Sequence, residues 1–229
     1  MTIWILIIGT MALSLFAAAR VKSVYRRYHR GSVMSGVTGG EAATLILRQA
    51  GIRDVEIAVH DQMLGDHYDP IHKRLVLSSE NYHGSTPAAL GVAAHECGHA
   101  LQHQHAYQPL HWRMAAVGVT TYANQVVMWL PLLGMFTGLI QPMVAVWILA
   151  LAWGVIMLFN LVTLPVEFDA SRRANLVLRN LNLISPGSEA VAVSKVLNAA
   201  AWTYVAAFIT SLAYFLWHLL PLLGGRQRD

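Results

Sequence analysis

Residues 93–103 read AAHECGHALQH, and this stretch determines how the rest of the chain is interpreted. His95 and His99 are four residues apart, so on an α-helix both imidazoles lie on one face, one turn from each other. Two histidines in this arrangement can bind one zinc ion, and Glu96 is then placed to act on a zinc-bound water. Thr86 as N-cap and Pro87 at the first helical position predict where this helix begins. The motif favours a zinc hydrolase over a helix that carries two histidines by coincidence.

The composition predicts an integral membrane protein. Only 12% of the residues are charged and the mean hydropathy is +0.46, whereas about 25% of the residues of a soluble domain are charged. A membrane-spanning helix needs about 20 apolar residues, and the chain is uncharged over residues 2–19, 114–166 and 196–225. The middle run is long enough for two spans, with a break near Pro131 and Pro142. We therefore expect about four transmembrane helices, at residues 2–20, 115–137, 143–163 and 199–223.

The charge distribution predicts contact with a lipid bilayer. The net charge is +4 and the pI is 9.4, but the basic residues cluster directly after the first expected span. A cluster in this place is typical of an orientation signal and of contact with anionic lipid, not of nucleic-acid recognition. Because no basic residue precedes the first apolar run, we expect a retained anchor rather than a cleaved signal. The clustered residues are Arg20, Lys22, Arg26, Arg27 and Arg30.

The same residues predict the orientation of the chain. Two expected spans separate the zinc helix from Arg172 and Arg173, so both regions lie on one side of the membrane. The excess of basic residues at 20–30 places that side in the cytoplasm. Arg226 and Arg228 disagree with this orientation, because four spans put them outside. The earlier cluster is larger and decides the prediction.

The segment between the first two expected spans predicts a small α+β unit. Thr38 and Glu41 have capping-box spacing at the start of a short helix. Residues 55–59 and 74–78 alternate like half-buried strands, with a polar turn at 65–70 between them. We therefore expect a mainly α-helical integral membrane protein in which a small α+β, zincin-like unit carries the histidine helix.

The second half of the chain predicts two further helical segments. Glu167 follows the third expected span on what we predict to be a short charged helix. Ser185 as N-cap and Pro186 at the first helical position predict another helix after it. The predicted organisation is a transmembrane anchor (1–20), a basic juxtamembrane linker (21–37), a zincin-like catalytic unit (38–112), two transmembrane helices (113–164), a helical region with the third zinc ligand (165–198), and a C-terminal transmembrane helix with its tail (199–229).

A catalytic zinc site usually takes three protein ligands and leaves one position for water. His103, His105 and His111 follow the motif closely, but a histidine one helical turn further on, about 6 Å away, reaches the metal poorly. The H-E-x-x-H-x-x-G-x-x-H pattern is absent, because Gln102 occupies the glycine position. Glu167 is the better placed ligand, and the alternative for this residue is a salt bridge to a neighbouring arginine.

Three stretches of the chain together resemble a known family. HECGHALQ at 95–102, LGDHYDP at 64–70 and LPVEFDAS at 164–171 resemble the bacterial YugP-like membrane zinc metallopeptidases, also called neutral zinc metallopeptidases. More distantly, the architecture is similar to the HtpX and CaaX-type membrane proteases. The resemblance covers nearly the whole chain. It implies a multi-pass enzyme of the bacterial inner membrane with one zinc ion per chain, in which Glu167 is the third ligand and Glu96 the general base.

The sequence departs from these relatives at one position. Ser171 stands where they carry an aspartate that orients a ligand histidine. Asp169, two residues from Glu167, points away from the ligand face and is a poor substitute. We therefore expect the residues behind the metal ligands to differ from those of the relatives.

The expected reaction is hydrolysis of a peptide bond in a peptide or protein substrate, without nucleic acid. Zinc polarises the scissile carbonyl, and Glu96 takes the proton of the water and passes it to the leaving amine. We interpret residues 74–78 as an ordinary sheet strand, with pairing to the substrate backbone as the alternative. An oxyanion donor is also needed, and the candidates are His67, Tyr68, Arg172 and Tyr204.

Two other functions are consistent with the sequence. A catalytically silent membrane adaptor with a structural zinc site binds partners without cleaving them, and the serine at 171 favours it. A lipid-surface binding protein acts through Arg26, Arg27 and Arg30. Glu96 separates the enzyme from both alternatives, because only hydrolysis needs its carboxylate. The sequence identifies neither the substrate nor a regulatory partner.

Overall fold

A computed structural model describes residues 3–61, 65–138 and 140–224 of the chain. Within these residues the fold is mainly helical, as the sequence predicts, and it contains one small three-stranded sheet. The elements are, in chain order, α1 (Ile3–Tyr28), α2 (Gly39–Gln49), β1 (Glu56–His60), β2 (His67–Asp69), β3 (Arg74–Ser78), α3 (Ser79–His83), α4 (Pro87–Gln104), α5 (Gln108–Thr137), α6 (Pro142–Asn180) and α7 (Ser188–Gly224).

The chain forms two compact units. The first, which we call the apolar unit, contains Met1–Phe16, His111–Leu164 and Tyr204–Asp229. The second, which we call the motif unit, contains Ala17–Leu110 and Pro165–Thr203. Helices α1, α6 and α7 each contribute residues to both units.

Three helices of the described chain, α1, α6 and α7, are long and apolar enough to cross a membrane. They cover the first, third and fourth expected spans. Helix α5 covers the second expected span at 115–137, but polar residues at 120, 121, 124 and 125 lower its hydropathy. This span stays a prediction. Arg226 and Arg228, which disagree with the expected orientation, lie outside the described residues.

Inside the apolar unit, the helices pack through small, branched and aromatic side chains. Ala123 of α5 forms a buried cluster with Ala152 and Ile156 of α6. The rings of Trp153 and Tyr214 stack with their centroids 4.5 Å apart, and they join α6 to α7. Interhelical contact in this unit therefore uses apolar surface and ring stacking.

The core of the motif unit lies between α2, α4 and the sheet. β3 is the middle strand, parallel to β1 and antiparallel to β2. Leu75 and Leu77 of β3 are fully buried together with Ile46 of α2 and Leu90 of α4. Each such side chain contributes about 1.5–3 kcal/mol when it is buried. This core fixes the histidine helix, α4, against the sheet.

Several local predictions are confirmed. Thr38 caps α2, and its side chain and that of Glu41 form both hydrogen bonds of a capping box. Thr86 caps α4, with Pro87 in the first turn. The strand predicted at 74–78 is β3. These features depend on residues that are close in sequence, which is why the sequence alone predicts them.

The sheet differs from the prediction in its pairing. The segment at 65–70, predicted to be a turn, contains β2, which pairs antiparallel with β3. The strand expected at 55–59 is displaced by one residue to Glu56–His60. β3 pairs with β1 along its whole length and with β2 at Arg74–Val76, so it is the middle strand and not an open edge. Residues 74–78 are therefore an ordinary sheet strand, as favoured by the sequence, and the alternative in which they pair with a substrate is not supported.

Two helices are longer than predicted. Helix α1 continues past the apolar run to Tyr28, because the basic residues that follow are good helix formers. Glu167 does not lie on a separate short helix, since α6 is continuous from Pro142 to Asn180. Pro165 lies inside this helix without ending it. The prediction of a short charged helix around residue 167 is wrong.

Helix α7 begins later than predicted, at Ser188. The carboxylate of Glu189 accepts a hydrogen bond from the backbone N–H of Ser185 at 2.7 Å. Gly187 has a φ of +101°, a conformation that favours glycine and is incompatible with a helix. The prediction that Ser185 and Pro186 start the helix is therefore wrong, because these residues form a turn that is held by the first-turn glutamate.

Helix α4 approaches α6 closely at a glycine of the motif. A β-carbon at Gly98 would lie 2.7 Å from the carbonyl oxygen of Ala170, which is shorter than the usual contact of about 3.5–4.0 Å between heavy atoms. The two backbones are therefore in direct contact. This contact determines which residues of α6 face the motif histidines.

We predict that Gly98→Ala lowers the free energy of unfolding by about 1–3 kcal/mol, because the added methyl group forces the two helices apart. The thermal unfolding midpoint of the purified protein in detergent measures this effect. Gly118→Ala in α5 is the matched control, because nothing lies within 4 Å of a β-carbon at that position. Equal midpoints for the two variants would contradict the close contact.

Candidate metal centre

Helices α4 and α6 bring three metal-binding side chains together. The ligand atoms of His95, His99 and Glu167 all lie within 4.8 Å of one another. Oε2 of Glu167 is 3.2 Å from Nε2 of His95 and 3.8 Å from Nε2 of His99. Glu167 is only 1% exposed, so its carboxylate is removed from water and needs positive charge nearby. The structure therefore assembles the side chains that the motif and the family resemblance single out.

The orientation of His99 depends on Gln102, a residue that the motif alone does not single out. Gln102 is fully buried. Its amide nitrogen donates to the carbonyl of Val166 at 2.8 Å and to the carboxylate of Asp169 at 3.0 Å. Its Oε1 therefore faces Nδ1 of His99, at 3.0 Å. Because an amide oxygen can only accept, Nδ1 carries the proton and Nε2 keeps the lone pair that a metal requires.

Asp169 belongs to the same chain of hydrogen bonds. It accepts from Gln102 and also pairs with Arg172 and Arg173, which balance its charge. Asp169 therefore supports His99 through Gln102, whereas Ser171, at the position of the missing aspartate, contacts His95, so the expectation that Asp169 is a poor substitute for that aspartate is not contradicted. The i, i+3 spacing of His99 and Gln102 is the sequence signal that points to this arrangement.

Ser171, the residue at which the sequence differs from the relatives, contacts His95. The hydroxyl of Ser171 lies 3.2 Å from Nδ1 of His95. A hydroxyl can donate or accept, so it holds the ring without fixing which nitrogen carries the proton. The two motif histidines therefore have different supports, a neutral hydroxyl for His95 and a glutamine backed by a carboxylate for His99.

Glu96 follows the first motif histidine in α4 and is 8% exposed. Its Oε2 accepts a hydrogen bond from the backbone N–H of Tyr68 in β2, at 3.0 Å. Burial, the largest cause, raises the pKa of Glu96 to about 7; His95 opposes this rise, and the charge of Glu167 adds to it. A carboxyl group with a pKa near neutrality can both accept and release a proton at pH 7.

Strand β2 is held in place by the buried network around Asp66. The carboxylate of Asp66 accepts from the backbone N–H of Ser78 at 2.7 Å and from the amide of Asn81 at 2.9 Å. Asn81 in turn accepts from the hydroxyl of Tyr25 at 2.7 Å. Because Asp66 immediately precedes β2, this network positions the strand whose N–H binds Glu96.

The four candidate oxyanion donors occupy different places. The hydroxyl of Tyr68 lies 2.9 Å from Nδ1 of His103. His67 is exposed, with its Nδ1 2.7 Å from a backbone carbonyl. Arg172 pairs with a neighbouring carboxylate of α6, and Tyr204 belongs to the part of α7 in the apolar unit. The role of all four stays a prediction.

Among the described residues, the other histidines considered as third ligands are not part of the cluster formed by His95, His99 and Glu167. His103 contacts the tyrosine of β2, and Nδ1 of His105 is 3.2 Å from the guanidinium of Arg173. His111 belongs to the apolar unit. Of these candidates, Glu167 is the one that the described structure brings to the two motif histidines.

These features define a mainly helical protein with membrane-spanning candidates and a candidate metal centre of two histidines and one glutamate. The chain belongs to the family described as "Putative neutral zinc metallopeptidase", whose model matches residues 3–223. It is 39% identical over 224 residues to the "Putative membrane protease YugP" of Bacillus subtilis (strain 168), with 98% of each chain covered. No solved structure matches the chain. The family resemblance inferred from the three sequence stretches is confirmed.

We predict that Gln102→Ala weakens zinc binding about 10–100-fold, because His99 loses the acceptor that fixes its tautomer. Competition between the purified protein and a zinc chelator of known affinity measures the change. Gln104→Ala is the matched control. Gln104 lies on the same helix as Gln102, and its side chain makes an exposed hydrogen bond to the carbonyl of Ala50. Wild-type affinity in a folded Gln102→Ala variant would show that the glutamine does not act on the ligand.

Proposed function

We propose that this protein is a membrane-embedded zinc metalloendopeptidase that hydrolyses peptide bonds in a peptide or protein substrate. The observation that carries the proposal is the convergence of two imidazole nitrogens and one buried carboxylate within 4.8 Å, with Glu96 next in sequence to one of them. Membership of the zinc metallopeptidase family supports it. The name of the Bacillus relative, "Putative membrane protease YugP", agrees with it.

The donor set fits one zinc ion per chain. Two imidazoles and one carboxylate form a common three-ligand set of catalytic zinc sites. The hydrogen bond to Gln102 leaves the lone pair of His99 Nε2 directed to the centre, and the Glu167 carboxylate provides negative charge in a buried position. When bound by these residues, zinc supplies a Lewis acid that polarises a carbonyl group and acidifies a water molecule.

Glu96 performs the proton transfers of the reaction. Its pKa of about 7 lets its carboxylate accept a proton from the attacking water and release that proton to the leaving amine. The hydrogen bond from β2 uses Oε2, and we assign the proton transfers to Oε1. The bond from β2 also restricts the rotation of the side chain, which keeps the base in one place.

Strand β2 is the candidate for contact with the substrate backbone. Of the two outer strands of the sheet, it is the one whose N–H reaches Glu96, so an extended peptide beside β2 passes the general base. His67, Tyr68, Arg172 and Tyr204 stay candidates for the oxyanion donor. Burial raises the pKa of Tyr68 to about 12, so its hydroxyl is protonated at neutral pH and able to donate.

We assign the protein to the bacterial inner membrane as a multi-pass protein with a cytoplasmic active site. The basic residues at 20–30 support this orientation through the positive-inside rule. If α6 crosses the membrane and Glu167 is on the same side as α4, α5 has to cross as well. This requirement supports the second expected span, at 115–137.

The second candidate function is a catalytically silent membrane adaptor with a structural zinc site. One observation favours it: the neutral hydroxyl of Ser171 contacts His95 where the relatives carry an aspartate. In this alternative, zinc stabilises the packing of α4 on α6, and partners bind without being cleaved. Glu96 then has no chemical role.

We predict that Glu96→Gln lowers the cleavage of casein about 10²–10⁴-fold, because glutamine cannot accept the proton. Zinc content and the unfolding midpoint stay at the wild-type level, since glutamine has a similar size and still accepts from the β2 backbone. Both are measured on detergent-purified protein. Glu56→Gln is the matched control, because Glu56 is exposed on β1 and pairs with Arg74.

The three proteins together separate the hypotheses. Cleavage by the wild type and Glu56→Gln, but not by zinc-loaded Glu96→Gln, is the result expected of a metalloprotease with Glu96 as base. Equal cleavage by all three would indicate a contaminating protease and would contradict the assigned base. Zinc-loaded protein without any cleavage would favour the adaptor.

A further inference from the structure

The last turns of α1 have two faces of different character. The inner face packs on the rest of the motif unit: Tyr25 is buried against Ala88 and Val196. Its hydroxyl donates to a buried asparagine of α3, and His29 pairs with Glu80 at 2.9 Å. These contacts fix the rotation of the last turns of α1 about the helix axis, so the opposite face of the helix is turned outward.

The outer face forms a basic groove with a volume of about 470 Å³. Its cationic residues recur at positions 22, 26, 27 and 30, the spacing of one helix face. No carboxylate lines the groove, and among the described residues none of its cations forms an ion pair with an acidic side chain. We call it the basic groove; it is lined by Ala19, Lys22, Ser23, Arg26, Arg27 and Arg30.

The chemistry of the basic groove favours a phosphate group. Arginine forms paired hydrogen bonds to phosphate oxygens, and three of the four cations are arginines. Four cations that face one concave surface without a balancing carboxylate repel one another, and a bound anion relieves this repulsion. The groove therefore fits an anionic ligand with several oxygen atoms.

The position of the basic groove on α1 identifies the source of that phosphate. Towards its N-terminus the same helix is an uncharged apolar segment and a membrane-span candidate, so the groove lies at the level where lipid headgroups begin. Two cation–π contacts flank it in the motif unit, Arg20 over Trp202 at 5.8 Å and Lys195 over Tyr28 at 6.0 Å. Aromatic and cationic side chains concentrate at this level of a bilayer.

We propose that the basic groove is a binding site for the headgroup phosphate of an anionic phospholipid. The lipid holds the end of α1 at the membrane surface through Lys22, Arg26 and Arg27, on the face opposite to the Tyr25 contacts. The site is separate from the metal centre and does not depend on the proposed peptidase activity.

Lipid retention by the purified full-length protein tests the proposal. Protein in a neutral detergent is incubated with equal amounts of dioleoyl phosphatidylglycerol and dioleoyl phosphatidylcholine, and the retained lipid is counted by native mass spectrometry. We expect the wild type to retain phosphatidylglycerol in preference to phosphatidylcholine. The triple variant Lys22→Gln, Arg26→Gln, Arg27→Gln should bind phosphatidylglycerol about 10–100-fold more weakly.

The matched control is the triple variant Arg48→Gln, Arg53→Gln, Arg179→Gln, which removes the same charge from exposed positions outside the groove. It should retain phosphatidylglycerol like the wild type. Equal loss in both triple variants would overturn the site, because the effect would then come from net charge. Absence of lipid preference in the wild type would also overturn it, whether or not the groove variant folds.

A third arm separates a lipid from a free anion. Inorganic phosphate at millimolar concentration is added to the wild type with its bound phosphatidylglycerol. Retention of the lipid supports a headgroup site, in which the lipid chains add to the affinity. Displacement of the lipid by inorganic phosphate would show a site for free phosphate and would contradict the proposal.

Discussion

The functional site depends on the packing of helix α4 against the second half of α6. At Gly98 the two backbones are in contact through Ala170, and Gln102 donates to the Val166 carbonyl across the same interface. A buried polar group that loses its partner costs about 1–3 kcal/mol, so the steric contact and the hydrogen bonds together favour one relative position of the helices. In that position Glu167 reaches both histidines of the motif.

Charge balance is the second constraint on the site. Glu96, Glu167 and Asp169 are all buried carboxyl groups in one small region, and the burial of charge is unfavourable without a partner. Two arginines balance Asp169, and the raised pKa of Glu96 reduces its charge at pH 7. For Glu167 a metal cation is the matching partner. Burial thus makes the same site attractive to a cation and leaves it a carboxyl group that can exchange a proton at neutral pH.

The sequence predicts the features that depend on short spacings. The helical period places His95 and His99 on one face, and the caps at Thr38 and Thr86 use residues within one turn. Strand β2 was missed because it is short and polar and forms only by pairing with β3. The role of Gln102 was missed because the partners of its amide are 64 and 67 residues away in sequence. The i, i+3 spacing places Gln102 beside His99, but the two distant partners depend on how the helices pack, and no local pattern encodes them.

Zinc K-edge X-ray absorption on the purified protein tests most directly whether the two motif histidines and Glu167 form a single zinc centre. We predict one zinc ion per chain, with two imidazole nitrogens at about 2.0–2.1 Å and oxygen ligands at about 2.0–2.2 Å. Glu167→Ala should change the spectrum and weaken the binding. A sulfur ligand at about 2.3 Å, which could come only from Cys97 or a methionine, would contradict the assigned centre. A spectrum unchanged by Glu167→Ala would contradict it as well.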